Sequence, residues 1–285
     1  RVARVAEPVA GDMVDLADSQ LVSTTFGPGA GGDITILTPG LFVVSNATIE
    51  ADTLDADPAS TAPAIGGNGG RVVVSAGGGM LLDRPDFFTS TFTTGTGGDI
   101  VLLSQGPIIV AGGRIVAESA AYPHRLQGLP GGQGGSILVA TPGALSISDA
   151  LITSSAFNTA RGGDITLSAD GGITTSGGEI RALTTGSGQG GYIFLFTAGH
   201  AAIDGTKYET STFGDGNAGS ISLDAGGNLS IAGATFVTNA ESAVSQGDAG
   251  GILTVSGGAT TISGSTFSAL TRGLGAGGYI DVSAT

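Results

Sequence analysis

The stretch GGDITLSADGGITTSGGEIRAL, residues 162–183, decides the fold of this chain. After a glycine pair, apolar residues recur at every second position in three short segments, which begin at Ile165, Ile173 and Ile180. Alternation by two is the period of a β-strand with one buried and one exposed face. The glycine, serine and aspartate residues between the segments favour tight turns. The stretch therefore predicts three short strands joined by sharp corners.

The same phrase returns along the whole chain, which makes it a structural repeat. The nine copies read GGDITIL at 31–37, GGRVVVS at 69–75, GGDIVLL at 97–103, GGSILVA at 134–140, GGDITLS at 162–168, GGYIFLF at 190–196, AGSISLD at 218–224, GGILTVS at 250–256 and GGYIDVS at 277–283. Most intervals between copies are close to 28 residues, and the longer ones contain insertions. Three strands per period, each paired with its counterpart in the next period, form one coil of a three-sided parallel β-helix. We therefore predict an all-β solenoid of about ten coils.

The repeat predicts that residues 1–285 form a single β-solenoid domain. In residues 1–31 the apolar positions are still occupied, by Val14, Leu16 and Leu21, so this segment is interpreted as a degraded N-terminal coil. Regular coils follow over 32–285, with insertions that fall at one corner, after the third strand. These insertions are residues 52–68, 118–133 and 239–248. Since the repeat begins and stops in mid-coil, we expect a segment of a longer protein or a subunit that stacks end to end.

The composition narrows the classes of partner. The chain has 24 acidic and 10 basic residues, a net charge of −14, which disfavours binding to nucleic acid or to an anionic membrane surface. It has no cysteine, so a disulfide framework and a thiolate metal site are excluded. Apolar residues make up 40% but aromatic residues only 5%, which predicts a narrow core of Ile, Val, Leu and Ala. No apolar run reaches membrane-spanning length.

The style of the repeat resembles that of a known family. Two examples are TSTFGDGNAGSISLDAGGNLSIAGATFVT at 210–238 and ALSISDALITSSAFNTARGGDITLSA at 144–169. This sequence pattern resembles the repeat region of filamentous-haemagglutinin-like exoproteins of the two-partner secretion class. The resemblance implies a right-handed β-helix that is secreted to the cell surface by an outer-membrane transporter and serves as an adhesin. The Asn-Pro-Asn motif of that family's secretion domain does not occur here, so no functional residue is transferred.

The first two insertions supply the candidate ligand-binding residues, since loops on a rigid scaffold often carry function. The two insertions begin two coils apart, which places them roughly 10 Å from each other on one edge. The candidate residues are Asp52, Asp55, Asp57, Glu118, Tyr122, His124 and Arg125. Their chemistry points to a glycan or to Ca²⁺, which prefers oxygen ligands. The alternative is a pair of solvated loops with incidental charge. No other cofactor is expected.

A second group of charges lies directly after the glycine pairs. Asp33, Arg71 and Asp99 occupy equivalent positions in three consecutive coils. They form either a small ladder of ion pairs, which contributes little to stability at a surface, or a carboxylate pair about 9.5 Å apart. The second interpretation would suit an inverting glycosidase. No Ser–His–Asp or two-histidine metal arrangement is available at the loop spacing.

The early coils contain strands that are apolar on both faces, such as VVV at 72–74 and MLL at 80–82. Such strands are usually covered on both sides, and an exposed apolar strip often marks an interface. The predicted outward residues are Val43, Val73, Leu81, Val101, Ile109, Leu138, Phe194 and Phe196. We expect this strip to be a docking face, either for another chain or for a missing part of this one. The alternative is that residues 52–68 or residues 1–31 fold over it.

Taken together, these features favour a non-enzymatic structural or adhesive shaft of a secreted, extracellular protein. The first alternative is a β-helix that binds or cleaves a polysaccharide as a lyase or hydrolase. The second is a subunit of a self-assembling extracellular filament. The sequence names no ligand for any of these functions.

Overall fold

The structure, a computed structural model, describes residues 3–4, 13–55, 65–120, 131–157, 159–244 and 246–285. Within these ranges the regular elements are all β-strands, and every strand pairs in parallel with its counterpart in the neighbouring coil. Undisturbed coils step by 28 residues, as in the pairing of Ile137 with Ile165 and of Ile165 with Ile193. The predicted parallel β-helix is confirmed.

Three long sheets form the three sides of the solenoid. The first sheet consists of Ala3–Arg4, Ile34–Thr38, Val72–Ala76, Ile100–Ser104, Ile137–Thr141, Ile165–Ala169, Ile193–Thr197, Ile221–Ala225, Gly251–Ser256 and Tyr279–Ala284. The second sheet consists of Val14–Ala17, Leu41–Ser45, Gly79–Asp83, Ile108–Ala111, Leu145–Ser148, Ile173–Ser176, Ala201–Asp204, Leu229–Ala232 and Thr260–Ser263. The third sheet consists of Gln20–Val22, Thr48–Glu50, Asp86–Phe88, Arg114–Val116, Leu151–Thr153, Glu179–Arg181, Lys207–Glu209, Thr235–Val237 and Thr266–Ser268. A further pair of short strands, Thr25–Phe26 and Thr53–Leu54, lies at the corner that follows the third sheet.

The core is a narrow apolar column enclosed by the three sheets. Strand residues alternate between buried and accessible, and the inward positions carry Ile, Val and Leu in most coils. In the first sheet, for example, Ile137, Ile165 and Ile193 stack directly on one another and are fully buried. The first coil joins the same column, since Val14 and Leu21 pair in register with Phe42 and Ile49.

Aromatic rings stack on one another in the core of the later coils. The rings of Tyr208, Phe236 and Phe267 stack on the inner face of the third sheet, with centroids 4.9 and 4.8 Å apart and nearly parallel planes. The Tyr208 hydroxyl shares a hydrogen bond of 2.7 Å with the Thr175 hydroxyl. Burial raises the pKa of Tyr208 because the phenolate would be enclosed by apolar groups.

The corner after the third sheet carries a ladder of single-residue bridges, which the sequence pattern does not distinguish from turns. One residue per coil forms an isolated parallel bridge to the next coil. The bridged residues are Thr53, Thr91, Ser119, Ala156, Thr184, Thr212, Ala240 and Thr271. The hydroxyls of Thr91 and Ser119 each donate to a backbone carbonyl, of Gly67 and Gly95 respectively, at 3.0 Å. Side-chain hydrogen bonds thus add to the backbone bridges that hold neighbouring coils together at this corner.

Steric contact between coils explains why the repeat needs glycine at its start. At Gly98, Gly135 and Gly163, a Cβ atom would overlap with the carbonyl oxygen of the anchor glycine in the preceding coil. Consecutive coils therefore touch backbone to backbone along one line, which we call the glycine seam. Any side chain there would push neighbouring coils apart.

Candidate functional site

A groove lies at the corner that follows the third sheet, and we call it the corner groove. Equivalent positions of three consecutive coils build it. Asp52, Ser90 and Glu118 each lie two residues after a strand of the third sheet. The next residue in each coil belongs to the bridged corner ladder, which fixes the register. Because each coil adds one strand spacing, Asp52 and Glu118 are about 9–10 Å apart along the solenoid axis, with Ser90 between them.

Asp52 is a buried carboxyl group, with 6% of its surface exposed. Its Oδ1 accepts a hydrogen bond of 2.6 Å from the backbone N–H of Ser90. Burial raises the pKa of Asp52 to about 7, because desolvation penalises the carboxylate more than the Ser90 N–H stabilises it. The nearby charge of Glu50 adds to this increase. Near neutral pH a large fraction of Asp52 therefore carries a proton.

Glu118 is the second desolvated carboxyl group of the groove. Its Oε1 accepts a hydrogen bond of 2.6 Å from the Thr153 hydroxyl, and its backbone N–H donates to the Ser90 hydroxyl at 3.3 Å. Burial raises the pKa of Glu118, while the Thr153 hydroxyl and the charge of Arg181 oppose the increase. Ser90 thus contacts both acidic residues, through its backbone N–H and through its hydroxyl.

The groove between these groups has a volume of about 290 Å³. Its lining residues are Asp52, Phe88, Ser90, Phe92, Arg114, Val116, Glu118, Ala120, Leu151, Thr153 and Arg181. The Arg114 guanidinium lies 4.9 Å from the centre of the Phe88 ring and donates two hydrogen bonds to Asp86, at 2.9 and 2.8 Å. A ligand in the groove would therefore meet acidic groups, hydroxyls and an aromatic ring together.

The arrangement has a defined chemical capacity. A carboxyl group with a pKa near 7 can donate a proton at neutral pH, as a general acid does. The backbones of Asp52 and Glu118 lie about 9–10 Å apart along the axis, a spacing comparable to the separation of about 6.5–9.5 Å between the two carboxyl groups of inverting glycosidases. The groove also suits simple binding of hydroxyl-rich ligands, which requires no reaction.

The structure brings together two of the seven residues predicted in the insertions, namely Asp52 and Glu118. Asp55 is half-buried and does not line the groove. Asp57, Tyr122, His124 and Arg125 lie outside the described residues. Over the described ranges, no three Asp, Glu or His side chains converge on a point that could hold a metal ion.

Asp33 and Asp99 serve a different purpose from the one expected. The Oδ1 atom of Asp33 accepts a hydrogen bond of 3.0 Å from the backbone N–H of Arg71, and Asp99 does the same with Ser136. Asp164 repeats this contact with Tyr192 at 2.9 Å. The expected ladder of ion pairs is thus a ladder of carboxylates bonded to the backbone of the next coil. Asp33 and Asp99 also line a shallow glycine-rich groove of about 420 Å³.

The predicted apolar strip is divided between two sides of the solenoid. Val73, Val101 and Leu138 lie on the outer face of the first sheet and are half-buried. Val43, Leu81 and Ile109 stack on the second sheet, where Leu81 and Ile109 are 41% and 43% exposed. Residues 13–31 pair with the sheets at the corresponding strands and do not fold over Leu81 or Ile109.

The two phenylalanines form a separate patch. Phe194 and Phe196, 40% and 48% exposed, lie on the outer face of the first sheet. The coils beside them carry Thr166 and Ser222 opposite Phe194. Their separation from the valines of the early coils argues for an independent role.

Several groove residues were missed in the sequence. Ser90 occupies the same repeat position as Asp52 and Glu118, so alignment of the coils contains the signal that would have found it. Thr153 and Arg114 come from the outer face of the third sheet, and only the packing of the corner against that sheet reveals their part.

Comparison with known proteins gave no guide to this groove. No protein family, curated protein or solved structure matches the chain. In the part of the chain that the structure describes, there is no helix of the length and hydropathy needed to cross a bilayer.

Proposed function

We propose that the chain is a structural and adhesive shaft segment of a secreted cell-surface exoprotein, similar in type to filamentous haemagglutinins and exported by an outer-membrane transporter. The observation that carries this proposal is the continuous register of three parallel sheets through the described coils. Such a stack behaves as a rod, because each coil contacts only its neighbours and adds about 4.8 Å of length.

Two further features support a non-enzymatic shaft. Asp33 and Asp99 suggested a catalytic pair, but their carboxylates accept hydrogen bonds from the backbone of the next coil. The net charge of −14 keeps separate rods apart and disfavours anionic partners.

The proposal is tested on intact cells of the source organism and on the purified chain. Antibodies against the chain should label unlysed cells, and brief protease treatment should remove the label. Fluorescent beads that carry the chain should adhere to neighbouring cells more than beads that carry albumin. Labelling that appears only after lysis, or adhesion equal to that of albumin beads, would overturn the proposal. Electron microscopy should show short separate rods, whereas long filaments would favour end-to-end assembly.

A polysaccharide-binding or polysaccharide-cleaving β-helix is the second candidate. It is favoured by the corner groove, where Asp52 and Glu118 face one space beside the Phe88 ring. Incubation of the chain with a panel of polysaccharides tests for released reducing ends. Turnover that falls at least a hundredfold in Glu118→Gln but persists in Asp33→Asn would establish this candidate and defeat the non-enzymatic shaft. The absence of turnover on every substrate would remove the cleaving form.

A further inference from the structure

The later coils carry a row of three aromatic side chains on the outer face of the first sheet. Tyr192, Phe194 and Phe196 alternate with buried residues along one strand and its N-terminal flank, so the three point to the same side. Alternate residues on a strand are about 6.6 Å apart, which gives the row a length of about 13 Å. In a chain with 5% aromatic residues and no tryptophan, three neighbouring outward rings form an unusual surface.

The polar end of the row is held in place. The Tyr192 ring lies 5.9 Å from the Phe194 ring, and the Arg161 guanidinium lies 4.5 Å from the centre of the Tyr192 ring. Gln189 donates a hydrogen bond of 3.1 Å to the Tyr192 hydroxyl. A fixed ring loses little conformational freedom when it binds a ligand, so this end of the row is prepared for contact.

Hydroxyl groups border the row on both sides. Thr166 and Ser222 flank Phe194, while Ser168 and Asp224 flank Phe196. In the described part of the chain, none of these four side chains makes a hydrogen bond with another protein group. All four are accessible to solvent. The row is thus an apolar strip with free donors and acceptors along both edges.

The charges at the row select the ligand. Arg161 is paired with the Asp164 carboxylate, so its positive charge is already neutralised. Asp224 leaves an exposed carboxylate at the other edge, and the chain as a whole carries −14. This environment repels anionic polymers and accepts hydrogen bonds from neutral hydroxyls. A ligand with apolar faces and hydroxyl edges, but without negative charge, is complementary to it.

We propose that Tyr192, Phe194 and Phe196 form a platform that binds a neutral oligosaccharide chain. The apolar faces of the sugar rings stack on Phe194 and Phe196, Tyr192 borders the chain at one end beside Arg161, and the sugar hydroxyls bond to Thr166, Ser168, Ser222 and Asp224. This inference deepens the proposed adhesive function by naming a ligand class, and it rests on that function only for its biological setting. It is separate from the corner groove, which lies beside the third sheet.

Calorimetric titration of the full chain with cellohexaose, laminarihexaose, maltohexaose and xylohexaose tests the platform, with an oligogalacturonate hexamer as the acidic counterpart. At least one neutral hexamer should bind. Phe194→Ser combined with Phe196→Ser should weaken that binding at least tenfold. Serine occupies the equivalent positions in neighbouring coils, as Ser222 and Ser168, so the sheet accepts both substitutions. Phe213→Thr removes another exposed phenylalanine, copies Thr185 of the preceding coil, and should leave binding unchanged.

The platform is overturned if no neutral hexamer binds, if the double serine variant binds as tightly as the natural chain, or if the acidic hexamer binds more tightly than the neutral ones. Phe194→Trp gives a second measurement, since a larger ring should hold or increase the affinity and should change its fluorescence on binding. Bead adhesion separates this inference from the proposed function. Adhesion that persists in a chain without hexamer binding refutes the platform alone, and hexamer binding without adhesion refutes the adhesive function alone.

Discussion

The corner of the early coils and the interior of the later coils depart from the same repeat in opposite ways. At the early corner, carboxyl groups take the place of small polar residues, and burial raises the pKa of Asp52 and Glu118. In the later interior, Tyr208 and Phe236 replace the aliphatic residues of the third sheet and stack closely. The corner change introduces an unfavourable desolvation, whereas the interior change adds apolar contact.

This difference shows where a solenoid coil can vary. A corner residue lies at the edge of the core, so a desolvated carboxyl group there is compatible with the fold and borders the groove. An interior residue is surrounded by the coils above and below, so a large ring there must fit the side chains in register with it. Substitutions in the two regions should therefore have opposite effects on stability.

The largest effect is expected for Phe236→Ala. Phe236 is fully buried between the rings of Tyr208 and Phe267, and its truncation leaves a cavity that the neighbouring strands cannot close. We expect a loss of about 3–5 kcal/mol in the free energy of unfolding, measured by urea titration followed by circular dichroism. Phe213→Ala is the matched control, because Phe213 is 48% exposed and should cost less than about 0.5 kcal/mol. Equal losses in the two variants would show that the ring stack adds no stability beyond that of an exposed phenylalanine.

A smaller effect of opposite sign is expected for Asp52→Asn. The pKa of Asp52 is about 7 in the folded chain and 3.8 in the unfolded chain, so the folded state binds the proton more tightly. Stability should therefore be fully present below pH 4 and decline as the pH rises to about 7. Asparagine keeps an oxygen for the Ser90 N–H and removes the charge. The variant should be more stable than the natural chain by about 2–4 kcal/mol at pH 8, and equal to it near pH 4.

Urea titrations of both chains between pH 4 and 8 measure this difference. Asp204→Asn, at an exposed aspartate, should leave the pH dependence of the natural chain intact. If Asp52→Asn retained the decline between pH 4 and 7, the early corner would not carry the desolvation that distinguishes it from the later interior.

The smallest effects are expected at Asp33 and sharpen the comparison from within the early coils. Asp33→Ala removes the acceptor of the Arg71 N–H and should cost about 1 kcal/mol. Asp33→Asn preserves an acceptor and should be neutral within about 0.5 kcal/mol. Urea titration measures both. A larger loss in the asparagine variant than in the alanine variant would mean that the carboxylate charge, and not the hydrogen bond, matters at this position.

The fold was predictable because its cause is periodic. Inward residues such as Ile165 and Ile193 recur at a fixed interval, and a strand period of two leaves little choice of face. The bridged corner residues, including Thr91 and Ser119, also recur at a fixed interval, but a single residue per coil has no alternation from which a strand could be predicted.

The candidate site was only partly predictable. Repeat position brought Asp52 and Glu118 to one edge, but their desolvation depends on packing between the corner and the third sheet. The hydrogen bond between Tyr208 and Thr175 joins residues of different sheets and different coils, so no local sequence pattern predicts it. The hydrogen bond that the Arg71 backbone N–H donates to the Asp33 carboxylate could not be distinguished in sequence from an ion pair with the Arg71 side chain.

The glycine seam has a consequence for how such a chain lengthens. Gly98, Gly135 and Gly163 meet the coil before them through the same backbone contact, whatever side chains that coil carries elsewhere. The backbone part of each junction is therefore the same, and duplication of one period would repeat this contact. A gene that copies or loses such a period changes the length of the protein by one strand spacing and keeps this backbone contact between the coils that become neighbours.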